Sequence, residues 1–452
     1  MRVAFIQPPV EDYYSTPIRR QPLGLLSLAA TARAQGWEVE LINGHSPRSR
    51  VVPAPPEFDY LQPFIGREDG AAFPFKHYYR FGLSDEAMDR LVRESRADLF
   101  AVSALFTPYY RQTERVIESI RRHHPDTPIV VGGGHATLHP RRFLEGGRAD
   151  YVIRGEGEPA LGALLRSLAG ESVDLAEYPN LLFAGETQAG DAPAAGALAP
   201  VDKLDDLPLP ARDFLAPRDF RVHRKRGVML SFSRGCPHAC SFCVTRDIFG
   251  PRHRAMGLSR MMAEIVDCHE RHGALLFDFE DDNFFANPDA DALLEEMTAY
   301  GRRRGVEFDL VAMNGLGVEG LNPERLRLMR RAGFRDLDLS LVTGDARRQR
   351  GLGRPADSDR FAEIVREARK LEMPVRAYFI LGLPEQTEEE ALATIATIRE
   401  AGARPVPSVY YDTMKPEPAD WLIQRSSAFA NESAALPREK LLRIFNELTG
   451  RW

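Results

Sequence analysis

The chain has 452 residues, 44% of them hydrophobic and 27% charged, which is the make-up of an ordinary globular protein long enough for two or more domains with separate cores. A formal net charge of -6 excludes the strongly basic balance of a nucleic-acid-binding surface. Four cysteines, three of them clustered, are too few for a disulfide framework, so the expected compartment is a reducing cytoplasm.

No stretch approaches the roughly 20 apolar residues of a membrane span, and the run Val3 to Ile6 is ended by Pro8 and Pro9 too soon for a signal peptide. That run reads as a buried parallel strand. A helix over Pro22 to Gly36 and a strand over Glu38 to Ile42 complete a β-α-β unit. Residues from about 49 to 82, rich in proline and aromatics, read as an insertion. Helical spacing resumes at Ser84. Strands at Leu99 to Ser103, Pro128 to Val131 and Tyr151 to Ile153, with a helix over Tyr109 to Arg122, predict an α/β, doubly wound Rossmann-like domain over 1–169. Ligands of such sheets bind at the carboxyl ends of the strands. Ser103 stands at one such end, and the glycine runs Gly132-Gly-Gly-His-Ala-Thr137 and Arg154-Gly-Glu-Gly-Glu158 follow two others.

Residues 170–222 read as a linker with a short strand at Asn180 to Phe183 and a stiff Leu207-Pro-Leu-Pro210. Beyond it strands and helices alternate. Strands are predicted at Val228 to Phe232, Leu275 to Phe279, Val306 to Val311, Asp336 to Ser340, Val375 to Ile380 and Ser408 to Tyr411. Six such units make a partial (β/α)6 TIM-like barrel over 223–415, whose active residues should gather at the C-terminal strand ends. Residues 416–452 form a short C-terminal helical tail, with a helix near Pro437 to Leu448, that caps the barrel or holds substrate.

Between the first barrel strand and its helix, Cys236, Cys240 and Cys243 stand at Cys-x3-Cys-x2-Cys spacing. Three soft thiolates on one polar loop favour a metal over packing, and a trio leaves one coordination position vacant. His238 would have to fold back under strain to complete a zinc site. Cys268 lies alone in a helical pattern and reads as a core or helix-surface residue.

The spacing Cys-x3-Cys-x-aromatic-Cys, with Phe242 as the aromatic, resembles the signature of radical S-adenosylmethionine (SAM) enzymes. The resemblance implies that the three cysteines hold a 4Fe-4S cluster whose open iron is chelated by SAM. The runs containing Gly133, Gly134, His135, Ala136 and Thr137, and Gly155, Glu156, Gly157 and Glu158, together with Pro22-Leu-Gly-Leu25, resemble the cobalamin-binding domain of one large radical SAM subclass. They imply that these residues and Ser103 face cobalamin. No Asp-x-His-x-x-Gly run is present, which implies a cobalt without a histidine on its lower face. His135 and His139 remain alternatives as ligands or as packed loop residues.

In the barrel, Glu280-Asp281-Asp282 resembles the acidic turn that contacts SAM's ammonium group, with magnesium as the alternative ligand. Asn314 and Ser340 end the next two strands, and Val342 stands where relatives carry Glu. The run through Gly382 and Glu385 is similar to the one that supports adenine, with Tyr378 in place of its first glycine; Glu385 reads equally as a helix N-terminal charge. Tyr410, Tyr411 and Asp412 close the last strand as candidate catalytic or substrate-contacting residues.

The function implied is methyl transfer to an unactivated carbon, or a phosphinate phosphorus, of a small molecule, through a 5'-deoxyadenosyl radical and methylcobalamin. A cyclisation, rearrangement or oxidation without net methylation is the alternative, and a non-catalytic iron-sulfur or cobalamin sensor is the alternative of another class. The resemblance also implies an external one-electron reductant of flavodoxin or ferredoxin type, and neither a nucleic-acid nor a membrane partner.

Overall fold

The computed structural model describes residues 1–15, 21–185, 198–222, 225–355, 357–415 and 418–450; the middle of the expected linker, 186–197, and the junction at 223–224 lie outside these described residues.

The N-terminal sheet has six strands in the order Glu38–Asn43, Arg2–Gln7, Leu99–Ser103, Ile129–Gly132, Tyr151–Ile153 and Leu181–Phe183, the first five parallel and the last antiparallel. Arg2–Gln7 is almost wholly apolar because both of its faces are covered. Ala4 and Ile6 enter the core on one side of the sheet, and Val3 and Phe5 enter the core on the other. The chain winds outward in opposite directions from Arg2–Gln7 and Leu99–Ser103, so a crevice opens between their carboxyl ends.

Two segments differ from the expectation. The strand Leu181–Phe183 is the antiparallel edge of this sheet. Residues 49–82 are also not irregular throughout. Ser49–Val52 and Tyr78–Phe81 pair with each other and with Val10–Asp12 in a three-stranded antiparallel sheet. Aromatics beside this sheet, with ring centroids of Tyr13 5.1 Å from Phe58 and 5.0 Å from Phe73, supply the periodicity-free hydrophobicity that concealed it.

The barrel is built from two sets of three parallel strands: Lys225–Leu230, Leu276–Phe279 and Asp309–Val311, then Leu337–Val342, Val375–Leu381 and Arg404–Val409. Isolated bridges from Leu310 to Phe334 and from Leu316 to Leu339 join them into one half-barrel of six. Its helices have legible ends. Left-handed Gly273, Gly305 and Gly402 stop three of them, and Thr387 with Glu390 forms a capping box at the start of Glu388–Ala401. The last strand begins at Arg404 and stops at Val409, earlier than the expected Ser408 to Tyr411. Pro405 and Pro407 are accommodated because the strand is the outer one of its sheet, where one row of N–H groups has no strand partner.

The tail crosses back to the N-terminal half. Arg425 is buried, donates from Nη1 to the Glu11 carbonyl at 2.9 Å and from Nη2 to the Pro108 carbonyl at 2.9 Å, and lies over the ring of Tyr109. The helix Arg438–Thr449 packs on the last strand, and Asn446 donates to the carbonyls of Gly70 and Ala72. The two halves thus share the aromatic core that runs from Phe73 to Phe429.

Candidate active site

The cysteine loop starts where the first barrel strand ends. Ser233 and Arg234 pair antiparallel with Arg254 and Ala255, which draws the loop into a lobe with a narrow neck. Gly235 makes the turn possible: its φ is +80°, and a Cβ there would lie 2.5 Å from the Arg252 carbonyl. Cys236 and Cys240 are half-buried and Cys243 is exposed. Cys240 Sγ lies 3.7 Å from the Gly353 carbonyl, and Cys243 Sγ 3.3 Å from Thr245 Oγ1. Burial pushes the Cys236 and Cys240 thiols up, opposed at Cys240 by the positive charge and hydrogen bond of Arg354.

His238 Nε2 is 3.0 Å from Glu319 Oε1 and 3.4 Å from Asn283 Nδ2, so its ring is committed away from the thiols. Three soft donors with no fourth protein ligand do not make a closed zinc site; they fit a 4Fe-4S cluster with one iron left for another ligand. Among the described residues no three His, Cys, Asp or Glu side chains are gathered closely enough to hold a metal ion.

The barrel strand ends border this loop. Asp282 and Asn314 are exposed, and Asn314 Nδ2 donates to the Glu280 carbonyl at 2.7 Å. Arg354 Nη2 donates to the Ser340 carbonyl at 3.1 Å, and the same guanidinium bonds Cys240. Phe242 is half-buried in the loop itself.

Several of the expected contact residues also bond within the protein itself. The Asp281 carboxylate turns inward, accepting from the Phe232 N–H at 3.0 Å and the Ser233 hydroxyl at 2.5 Å, and so shapes the entry to the cysteine loop. Burial pushes it up to about 7. Tyr378 bonds Asp338, and burial together with that carboxylate pushes its phenol up to about 12. Gly382 accommodates the tail: a Cβ would lie 3.3 Å from Leu441 and 3.4 Å from the Asn431 carbonyl. Glu385 is exposed at φ +58° and precedes the helix that Thr387 and Glu390 cap, so it is not a first-turn charge. Tyr410, half-buried, lies just past the last strand with its carbonyl accepting from Asn431 Nδ2. Burial and Asp412 push its phenol up. Tyr411 is exposed, and Asp412 Oδ1 accepts from the Met414 N–H.

On the N-terminal half, the crevice between the two diverging strands is lined by Gln7, His45, Ser103, Leu105, Phe106 and Tyr109. The glycine turns beside it are occupied by protein. A Cβ on Gly133 would lie 2.7 Å from the Ala104 carbonyl, on Gly134 2.7 Å from the Leu105 carbonyl, on Gly155 2.9 Å from the Ile248 carbonyl and on Gly157 3.2 Å from Leu28. Thr137 ties the turns together, its hydroxyl donating to the Gly133 carbonyl and accepting from the Gly155 N–H. Ala136 is in the core.

His135 is also buried, its centroid 4.6 Å from that of Trp421, and burial pulls its imidazole well below the usual histidine range. It is a neutral packed residue. His139 Nε2 sits 3.3 Å from the Thr413 carbonyl of the barrel half. Glu156 and Glu158 do not open toward a ligand; they pair with Arg234 and Arg254. Neither arginine stood out in the sequence, although Arg234 adjoins the motif at two residues from Cys236.

The fit to cobalamin rests on the crevice and on exposed apolar side chains past strand ends of the two halves. Leu105 on the N-terminal half is 38% exposed, and Tyr411 and Met414 beyond the last barrel strand are 38% and 52% exposed, close in sequence to the Thr413 that meets His139. An apolar macrocycle would cover such side chains.

Comparison with known proteins agrees with this geometry. The Radical SAM superfamily profile matches residues 230–398, and the B12 binding domain profile matches residues 76–165. The cytidylyl-2-hydroxyethylphosphonate methyltransferase of Streptomyces wedmorensis is 24% identical over 415 residues, covering 84% of this chain and 73% of the relative. An anaerobic magnesium-protoporphyrin IX monomethyl ester cyclase of Synechocystis is 30% identical over 172 residues, covering 36% of this chain and 32% of the cyclase. Among solved structures, the radical SAM methyltransferase TsrM of Kitasatospora setae, with cobalamin and a 4Fe-4S cluster bound, shares the fold with a TM-score of 0.64 at 18% identity, over 90% of this chain and 71% of that one. Among the described residues no helix is long and apolar enough to cross a membrane.

Proposed function

Because the chain belongs to the cobalamin-dependent radical SAM enzymes, we propose that it is a methyltransferase acting on an unactivated carbon, or a phosphinate phosphorus, of a small molecule. The observation that carries this reading is that the similarity to a phosphonate methyltransferase runs through both halves, 84% of the chain, and not through the cysteine loop alone. When bound, the cluster with SAM supplies reductive cleavage of the sulfonium to a 5'-deoxyadenosyl radical, and cobalamin supplies a methyl carrier.

The protein's own residues hold and shield these groups. Cys236, Cys240 and Cys243 are the cluster ligands. Glu280, Asp282, Asn314 and the Ser340 backbone, at strand ends next to the loop, bind and orient SAM. Leu105, Tyr411 and Met414 exclude water from the space between the halves. Tyr410, Tyr411 and Asp412 meet the substrate. The same reading includes a cytoplasmic location, in keeping with the cysteine usage, and an external one-electron donor of flavodoxin or ferredoxin type.

Anaerobic turnover of the holoenzyme with its substrate should yield S-adenosylhomocysteine and 5'-deoxyadenosine together with a methylated product. The cyclase similarity favours a second reading, ring closure without net methylation. That reaction would give 5'-deoxyadenosine with little S-adenosylhomocysteine, and such a product pattern would replace the first reading.

A further inference from the structure

The turn Arg154 to Glu158 sends its two carboxylates to the other half of the molecule. The cysteine loop hangs from a neck in which Ser233 and Arg234 pair with Ala255 and Arg254. Both neck arginines reach the same turn. Arg234 donates from Nη1 to Glu156 Oε2 and Glu158 Oε2, each at 3.1 Å, and from Nη2 to Glu158 Oε1 at 2.6 Å. Arg254 donates from Nη1 to Glu156 Oε2 at 2.9 Å and from Nη2 to Glu156 Oε1. The carboxylates are held from their own side as well, by the Ser27 hydroxyl on Glu158 and the Val201 N–H on Glu156. Both glutamates are 4% exposed. Past the last cysteine, the helix Thr245–Phe249 lays Ile248 against Gly155 and Gly134, so the lobe touches the same surface a second time.

Two guanidinium groups and two carboxylates cancel in charge, yet burying them is a poor way to gain cohesion, since apolar packing of equal volume does as well or better. What a forked guanidinium adds is direction: paired N–H groups on a carboxylate set both distance and angle. Cohesion between the halves has another source, the buried Arg425 and the aromatic core it lies in. A group transfer between species held on separate halves needs reacting atoms within about 3–3.5 Å, and an error of about 1 Å costs on the order of 100-fold in rate.

We propose that Glu156, Glu158, Arg234 and Arg254 form a positioning clamp that fixes the cysteine loop, and with it the iron-sulfur cluster, at a set distance and angle from the cobalamin-binding sheet. This rests on the reading that both cofactors are bound. The clamp's residues touch neither cofactor nor substrate; they act through the loop and the turn they join. The glutamates are therefore interdomain fasteners, and their place in a glycine-rich turn reflects the close approach of Ile248.

The test uses holoenzyme carrying the cluster and cob(II)alamin, comparing wild type with Glu158→Gln and with Arg234→Lys, which keeps the charge and loses the fork. Iron and cobalamin content are measured first. The magnetic interaction between the reduced cluster and cob(II)alamin is then read by electron paramagnetic resonance, and amide exchange by mass spectrometry. The expected result is full loading of both cofactors in both variants, a spread of weaker couplings in place of the single wild-type one, smaller for Arg234→Lys, and exchange over 233–255 faster by about tenfold or more. Unchanged coupling and exchange in both variants would overturn the clamp alone. Loss of cobalamin with exchange unchanged would make the glutamates cofactor ligands and overturn it as well. Wild-type protein lacking either cofactor signal would overturn the cofactor reading and the clamp with it.

Discussion

The carboxyl ends of the N-terminal sheet and of the barrel carry similar signals in sequence, glycines and carboxylates just past apolar strands, but the structure uses them differently. At the N-terminal turns the space that the glycines free is taken by the backbones of Ala104, Leu105 and Ile248, and the carboxylates of Glu156 and Glu158 are spent on arginines. At the barrel mouth Cys243, Asp282 and Asn314 stay exposed to the cleft. A glycine run reports that something approaches closely. Whether that something is a ligand or another part of the chain is decided by tertiary packing.

Removing a barrel-side donor should have the largest effect. Cys240→Ala should abolish iron loading and drop SAM cleavage to background, while the absorption spectrum still shows cobalamin bound. Loss of both cofactors together would mean that the two ends do not work separately.

On the N-terminal side the large effects should be on stability. Glu156→Leu leaves Arg254 buried without its carboxylate and should cost about 3–5 kcal/mol in denaturant unfolding. Gly133→Ala, at φ +111° with a Cβ 2.7 Å from a carbonyl, should cost about 1–3 kcal/mol. Gly132→Ala, whose nearest atom is 3.5 Å away, should stay within about 0.5 kcal/mol of wild type.

Asp281 gives a pH-dependent version of the same contrast. Its carboxyl is raised from the ordinary 3.8 to about 7, so the folded chain keeps a proton that the unfolded chain has released. Its contribution to stability is full below the unfolded value and is lost as pH rises through about 7. The melting temperature of Asp281→Asn should fall less steeply than that of the wild type across that window.

A further small effect is at Val342, a β-branched residue at φ +72° in a turn closed by the Thr343 N–H on the Leu341 carbonyl. Val342→Gly should be more stable than Val342→Ala by about 1 kcal/mol, reversing the usual order of those two residues.

What could be read from the sequence follows from the range of the forces involved. Val3 to Ile6 is specified by local pattern and appears within the strand Arg2–Gln7, and the helices ended by Gly273, Gly305 and Gly402 have their stops in local capping. The cysteine triad was legible because ligand spacing is itself local. The sheet formed by Val10–Asp12, Ser49–Val52 and Tyr78–Phe81 was not, because its aromatic faces are buried against a tail more than 300 residues away, as in the contact of Phe73 with Phe429. The protein partners of His135, Glu156, Glu158 and Asp281 were not legible for the same reason. Their partners, Trp421, Arg234, Arg254 and Ser233, lie on other elements, and no spacing within their own motifs points to them.

Two cofactors, each carried by its own half, are expected to meet in one cleft. Anomalous diffraction from a holoenzyme crystal at the iron and cobalt edges tests it directly. Iron is expected at the loop Cys236 to Cys243 and cobalt beyond the carboxyl ends of Arg2–Gln7 and Leu99–Ser103, both facing the same space beside Leu105 and Met414. Cobalt bound elsewhere, or sites separated by protein, would contradict it.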